Sequence, residues 1–203
     1  MTDKKRLYRM MQRAEAEQRT RQRITESTVE LHGTVGPAQT SVSAIARHAG
    51  VRRSTVYRHF PDEASLFSAC TTAWIGANPF PDAARWAAIE DPDRRMLAAL
   101  RSLYAHYRHT EGMMSNVLRD EDTMPIVKRM LGGYRGYLDL ARNVLMAGRT
   151  VRGSRRHSVA AAIGHALAFT SWKSLAREQG LSDAAAANLM GRLVATAESG
   201  SHG

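Results

Sequence analysis

The stretch Thr40–Phe60, reading TSVSAIARHAGVRRSTVYRHF, decides how this chain folds. Val42, Ile45, Ala46 and Ala49 recur at helical spacing and stop at Gly50. Val56 and Phe60 mark a second short helix, closed by Pro61. The spacing predicts helices over about 42–49 and 54–60, flanking Gly50-Val51-Arg52-Arg53. Glycine enters the left-handed region without a Cβ penalty, so Gly50 can end the first helix cheaply. Val51 turns inward to join Ile45, Ala49 and Val56 in a minimal core. That is the plan of a helix-turn-helix, and equally of a plain helical hairpin with a basic solvent face. The leftover side chains tilt the choice. Arg52, Arg53, Ser54, Thr55, Tyr57, Arg58 and His59 lie on or beside the second helix. Arginine can grip a guanine edge bidentately, and hydroxyls bond phosphate or base edges.

Working outward, the helical pattern continues in both directions and strand alternation is not sustained anywhere. Ile24, Thr28, Leu31 and Val35 form a stripe ended by Gly33, Gly36 and Pro37. Asp62 is a good N-cap for a helix carrying Leu66, Phe67, Cys70 and Trp74. Residues 76–82 read as a linker or kink. Asp91-Pro92 then starts a long helix through Leu97, Leu100, Tyr104 and Tyr107, with Gly112 expected to interrupt it. Another helix is expected from Pro125 toward Gly148, and two more over roughly 155–179 and 182–198, separated by Gly180. The chain is all-α.

Charge is uneven. Residues 1–60 hold 12 Lys and Arg against 5 Asp and Glu, whereas residues 61–203 hold 17 against 14. Most of the +10 excess therefore sits in under a third of the chain, where it would favour a polyanion by counterion release. The single cysteine, Cys70, cannot form an internal disulfide and sits in an apolar stretch, so a reducing cytoplasm is expected. The first 23 residues are polar and basic, without a secretory h-region. The longest stretch free of charged residues, His157–Trp172, has 16 residues. A membrane span needs about 20, so a buried helix is expected there and no membrane partner.

The Thr40–Phe60 run closely resembles the signature of TetR/AcrR-family transcriptional regulators: Gly-Val, then Thr-x-Tyr-x-His-Phe, then the apolar Leu66-Phe67. The resemblance covers about a quarter of the chain, from Ile24 to Phe67. It implies an N-terminal three-helix helix-turn-helix DNA-binding domain (23–68), preceded by a basic arm (1–22). A C-terminal helical ligand-binding and dimerisation domain (69–203) follows. By the same resemblance, Thr40 or Ser41, Tyr57 and His59 contact phosphate, while Arg52, Arg53, Ser54 and Thr55 approach the bases. Two departures stand out. Arg52 replaces the usual capping Ser, and Glu63 replaces a Lys that would bind phosphate, so that contact is not carried over. In the arm, Lys4, Lys5, Arg6, Arg9, Arg13, Arg19, Arg21 and Arg23 either follow DNA or form a solvated tail, and the sequence leaves both open.

In the remaining two-thirds, Ala160, Gly164 and Ala168 recur every four residues with Ser171 one turn on. Such a stripe serves an internal core or a two-fold interface. The family resemblance implies a homodimer through about 155–198 and hence a pseudo-palindromic double-stranded operator. Aromatic and sulfur residues form the candidate wall of a mostly apolar effector cavity: Trp86, Tyr104, Tyr107, Met114, Met130, Tyr134 and Phe169, with His165 as pocket or core residue. Taken singly, each is better read as an ordinary core residue. The eight histidines fall in no metal-binding spacing, so no metal and no cofactor is expected. No nucleophile elbow, phosphate loop or dinucleotide fingerprint occurs. The expected function is a ligand-released repressor. A non-specific basic DNA-binding protein is the alternative, and an all-α enzyme a more distant one.

Overall fold

A computed structural model describes residues 2–200, and among these every regular element is helical. The helices are α1 (Thr2–Thr34), α2 (Val42–His48), α3 (Arg53–His59), α4 (Glu63–Ala77), α5 (Ala83–Ala87) and α6 (Pro92–Asp120). They continue as α7 (Pro125–Met130), α8 (Gly132–Met146), α9 (Gly153–Leu167), α10 (Phe169–Lys173) and α11 (Asp183–Ser199). A short 3₁₀ turn, Pro37–Gln39, leads into α2, and a π-helical segment, Ser174–Glu178, extends α10.

The chain forms two compact units. The first comprises residues 1–78 and 112–130, the second 79–111 and 131–203. A division by sequence position at 68/69 therefore misses a return. The last turns of α6, with α7, belong to the unit that contains the helix-turn-helix.

The core of the first unit is Ile24, Ile45, Ala46, Ala49, Val56, Phe60, Leu66 and Cys70, with Val51 packed against it. Four helices thus share one small apolar centre. Val35, expected on the stripe of α1, lies past the helix end and is exposed. Residues 2–22, read as an arm preceding the first helix, are instead the N-terminal two-thirds of α1. Gly112 does not interrupt α6. A Cβ there would stand 3.0 Å from the Gly33 carbonyl oxygen, so glycine permits a close approach of α6 to α1. Beyond it, Asn116 Nδ2 donates to the carbonyls of His32 and Gly33, both at 3.0 Å. Arg119 donates to the Val35 carbonyl, and the Ala38 N–H donates to the Asp120 carboxylate at 2.9 Å. Burial lowers the His32 ring to about 4, against a smaller upward pull from Asp120. The junction leading into α2 is therefore held by three polar side chains within little more than one turn of α6.

In the second unit the expected helix 155–179 is broken at Ala168, whose backbone is extended (φ −69°, ψ 137°), with no proline or glycine at the break. Tyrosines account for it. Tyr104 Oη donates to the Ala166 carbonyl at 2.8 Å and Tyr107 Oη to the Leu167 carbonyl at 2.7 Å. Carbonyls freed by a helix break need such partners when buried. Two arginines are also folded inward. Arg95 donates to the carbonyls of Ile89, Glu90, Val144 and Ala147. Arg149, whose side chain is 0% exposed, pairs with Glu198 and with Asp93, and donates to the carbonyls of Leu145 and Pro92. The helix expected to run from Pro125 toward Gly148 is split at Leu131 into α7 and α8.

Candidate nucleic-acid interface

Each side chain of the α2–α3 pair is positioned by local backbone chemistry. The Ser41 side chain caps α2 by accepting from the Ala44 N–H at 3.1 Å. Its hydroxyl proton is left to donate outward, and Ser41 is exposed. Thr40 is half-buried and spends its hydroxyl proton on the Gly36 carbonyl at 2.7 Å, so toward any ligand it is an acceptor. Of the pair, only Ser41 is exposed with a hydroxyl proton free of the chain's own carbonyls. Gly50 takes φ +63°, with nothing near its missing Cβ, and the Val51 N–H bonds back to the Ala46 carbonyl at 2.9 Å. This left-handed residue turns the chain sharply into α3.

Helix α3 starts at Arg52 without a side-chain cap. Arg52, Arg53, Ser54 and Arg58 are exposed, and Tyr57 is 47% exposed, large for an aromatic ring. Arg53 Nη2 lies 3.3 Å from the Tyr57 hydroxyl, and its guanidinium lies 5.9 Å from the ring centroid. Thr55 is half-buried. The helix buries Val56 and His59 and turns the rest outward, so one face carries three guanidinium groups and several hydroxyls with no carboxylate on the helix itself.

His59 departs from expectation. Its side chain is turned into the unit, the residue is 7% exposed, and Nε2 has no hydrogen-bond partner. Burial, then Arg58, holds the ring below the ordinary imidazole range. It is thus an inward residue and not an open phosphate ligand. The His59 carbonyl accepts from Arg21, whose guanidinium stacks 4.0 Å from the Phe60 centroid. Arg21 is the functional neighbour the sequence reading missed, since it was grouped with the arm. Its spacing from Ile24, one helical turn on the same face, was the available signal. At the start of α4, Asp62 accepts from the Ser65 N–H at 2.7 Å, so this helix end is capped within the chain and Glu63 stands exposed beside it.

The residues expected around an effector are divided between the two units. Met114 and Met130 belong to the first unit. Trp86, Tyr104, Tyr107 and Phe169 are buried in the second unit, where Trp86 Nε1 donates to Ser102 Oγ and the tyrosines hold the α9 break. Tyr134 is half-buried with its hydroxyl 3.0 Å from that of Tyr107. A shallow pocket of about 270 Å³ is lined by His165, Thr170, Ser171, Ser174, Leu175 and Met190. Of the eight expected residues only His165 borders it, and His165 is exposed, not core. The small-residue stripe is half-buried at Ala160, Gly164 and Ala168 and buried at Ser171, and a Cβ on Gly164 would stand 3.9 Å from Arg142 Cδ of α8. No group of His, Cys, Asp and Glu among the described residues could hold a metal ion, and no described helix is long and apolar enough to cross a membrane.

Residues 24–70 match the family model of bacterial regulatory proteins, tetR family. Over 51 residues the chain is 43% identical to the HTH-type transcriptional regulator AcrR of Shigella flexneri, and it spans 24% of that protein's length. Its fold is similar to a TetR-like transcriptional regulator from Rhodococcus sp. RHA1 (TM-score 0.64, 19% identity, 90% of this chain and 97% of the other). It is also similar to a tetR-family transcriptional regulator from Streptomyces coelicolor (TM-score 0.56, 18% identity, 87% and 78%). At such identities the likeness is one of fold.

Proposed function

We propose that this chain, whose residues 24–70 match the family model of bacterial regulatory proteins, tetR family, is a transcriptional repressor released from its operator by a small molecule. The observation that carries this reading is the outward face of α3. Arg52, Arg53, Ser54, Tyr57 and Arg58 are exposed on a helix only seven residues long, set at a sharp turn by Gly50. A helix of that kind fits the major groove, and guanidinium groups discriminate guanine edges there.

A homodimer through α9 and α11 (about 155–198) would present two such helices to one face of a pseudo-palindromic operator. Support for that interface comes from exposed small and apolar residues on both helices, including Ala161 and Leu193. Support for effector control comes from α6. Its residues 92–111 belong to one unit, while Asn116, Arg119 and Asp120 in the other hold the junction into α2. An effector favouring a different setting of α6 must weaken DNA binding by the same factor by which DNA weakens effector binding.

The test is fluorescence anisotropy of the purified protein against DNA from upstream of its own gene, beside a shuffled duplex, at about 0.15 M salt where diffuse attraction is screened. Selective binding that Arg53→Ala weakens by about 1–3 kcal/mol supports the reading. Equal weak binding to both duplexes, on this DNA and on duplexes selected from a random pool, makes it a non-specific basic protein instead.

A further inference from the structure

Helix α1 continues for about five turns beyond the point where the first unit stops covering it. Residues 4–19 are exposed on every side, and packing begins only around Thr20 and Arg21. At 1.5 Å per residue this extension is about 25 Å long. Lys5, Arg9 and Arg13 recur every four residues with Arg6 beside them, so the four fall on one side of the helix, within about a third of its circumference. None of the four makes an ion pair or side-chain hydrogen bond among the described residues. Like charges four apart on a helix destabilise it, and helices not held by packing are marginal in water. A helical extension carrying such a stripe lacks its counter-charge.

We propose that this stripe is a second DNA contact, lying along the phosphates that flank the operator half-site read by α3. The inference rests on the DNA-binding reading above and adds a separate surface to it. Two observations select DNA as the occupant. The extension is one helix with the turns that brace α3, because Arg21 bonds the His59 carbonyl and stacks on Phe60. Its cations are therefore held at a set distance from the reading helix. The apolar side of the extension is short, with Leu7, Met10 and Met11 as its bulky members near Ala14 and Tyr8 off to one side. Three bulky side chains over about two turns are little for anchoring in a lipid interface, against four cations over about the same length.

The experiment uses the full chain and a duplex selected from a random pool, in a short form and in a form extended by about one helical turn (10 bp) on each side. Binding is measured by anisotropy across a salt series for the native chain, for the combined Lys5→Gln, Arg6→Gln, Arg9→Gln and Arg13→Gln variant, and for Arg53→Ala. Glutamine keeps helix propensity close to that of lysine and arginine, and all four sites are exposed, so folding is preserved. Each phosphate contact contributes about 0.9 to the slope of log K against log salt, so on the long duplex the variant loses about 3–4 per protomer. On the short duplex it matches the native slope, and its preference for the selected sequence over a shuffled one is unchanged. A native slope for the variant on the long duplex overturns the proposal. So does loss of native binding to phosphatidylserine vesicles in the variant with the DNA slope unmoved, which makes the stripe a membrane contact. If Arg53→Ala retains full selectivity on the short duplex, the reading of α3 fails, independently of what the four glutamines do.

Discussion

Arg53 and Arg149 are the same residue put to opposite uses in the two units. In the first unit, α3 turns its guanidinium groups outward and buries only Val56 and His59. In the second, Arg95 and Arg149 are folded into the interior and satisfied almost entirely by backbone carbonyls, with Asp93 and Glu198 beside Arg149. Tyrosines divide the same way. Tyr57 is 47% exposed, whereas Tyr104 and Tyr107 are wholly buried and hold a broken helix. The lesson concerns which polar residues can carry information to a partner. A side chain spent on the chain's own carbonyls is a structural part, however functional its type looks in the sequence.

The largest expected effect tests the inward side of this contrast. Arg149→Ala opens a cavity and leaves two carbonyls and the partly buried Glu198 without their partner, while Asp93 stays exposed to water. It should lower unfolding free energy by about 3–5 kcal/mol in urea titrations. A loss below about 1 kcal/mol would mean that Arg149 is not the staple its bonds suggest.

Next in size is a pH effect in the first unit. The unfolded His32 ring takes up a proton near 6.5, but the folded one only near 4. Between those values the unfolded state binds more protons, so stability falls as pH drops, by about 3 kcal/mol in all. Asp120 works in the same direction. Burial pushes its carboxyl up, but Arg119 and the Ala38 N–H outweigh that and hold it below the usual range. Its contribution disappears as pH falls through that lowered value. Thermal melts from pH 7 to 4 should show the decline, and His32→Gln should flatten most of it. An unchanged profile in that variant would mean that His32 does not carry the decline, since Asp120 gives up its contribution only below this window.

A smaller effect sharpens the tyrosine comparison. Tyr107→Phe strands the Leu167 carbonyl at the helix break and removes the partner of Tyr134, costing about 1–3 kcal/mol of stability. Tyr57→Phe should cost almost none, because its hydroxyl has only Arg53 beside it. The smallest expected stability change is that of Arg53→Ala, within about 0.5 kcal/mol, since an exposed arginine outside any network holds little of the fold. Equal losses for Tyr107→Phe and Tyr57→Phe would collapse the distinction between the two units.

The helix-turn-helix was largely legible in the sequence. Gly50, Val51, Ile45, Ala49 and Val56 behave as their spacing predicts, because a short helix pair with one glycine turn is governed by contacts within twenty residues. His59 was misread because the resemblance speaks for its type and not for the direction of its ring. Arg21 was missed because its partners, His59 and Phe60, lie some 38 positions away. The candidate effector wall was the least legible. Aromatics and methionines at helical spacing look alike whether they line a cavity or fill a core, and Trp86, Tyr104 and Phe169 fill a core.

By itself, then, the sequence determined the all-helical class, the turn at Gly50, the cationic face of α3 and the excess of positive charge near the N-terminus. These depend on local periodicity and composition, which the chain carries at every position. Tertiary structure decided the rest. It returned residues 112–130 to the first unit, broke the helix at Ala168 and turned Arg95 and Arg149 inward. Each of these follows from where a distant backbone carbonyl or carboxylate comes to lie. A buried polar group must find a partner wherever the packing puts one, and no local pattern records that place.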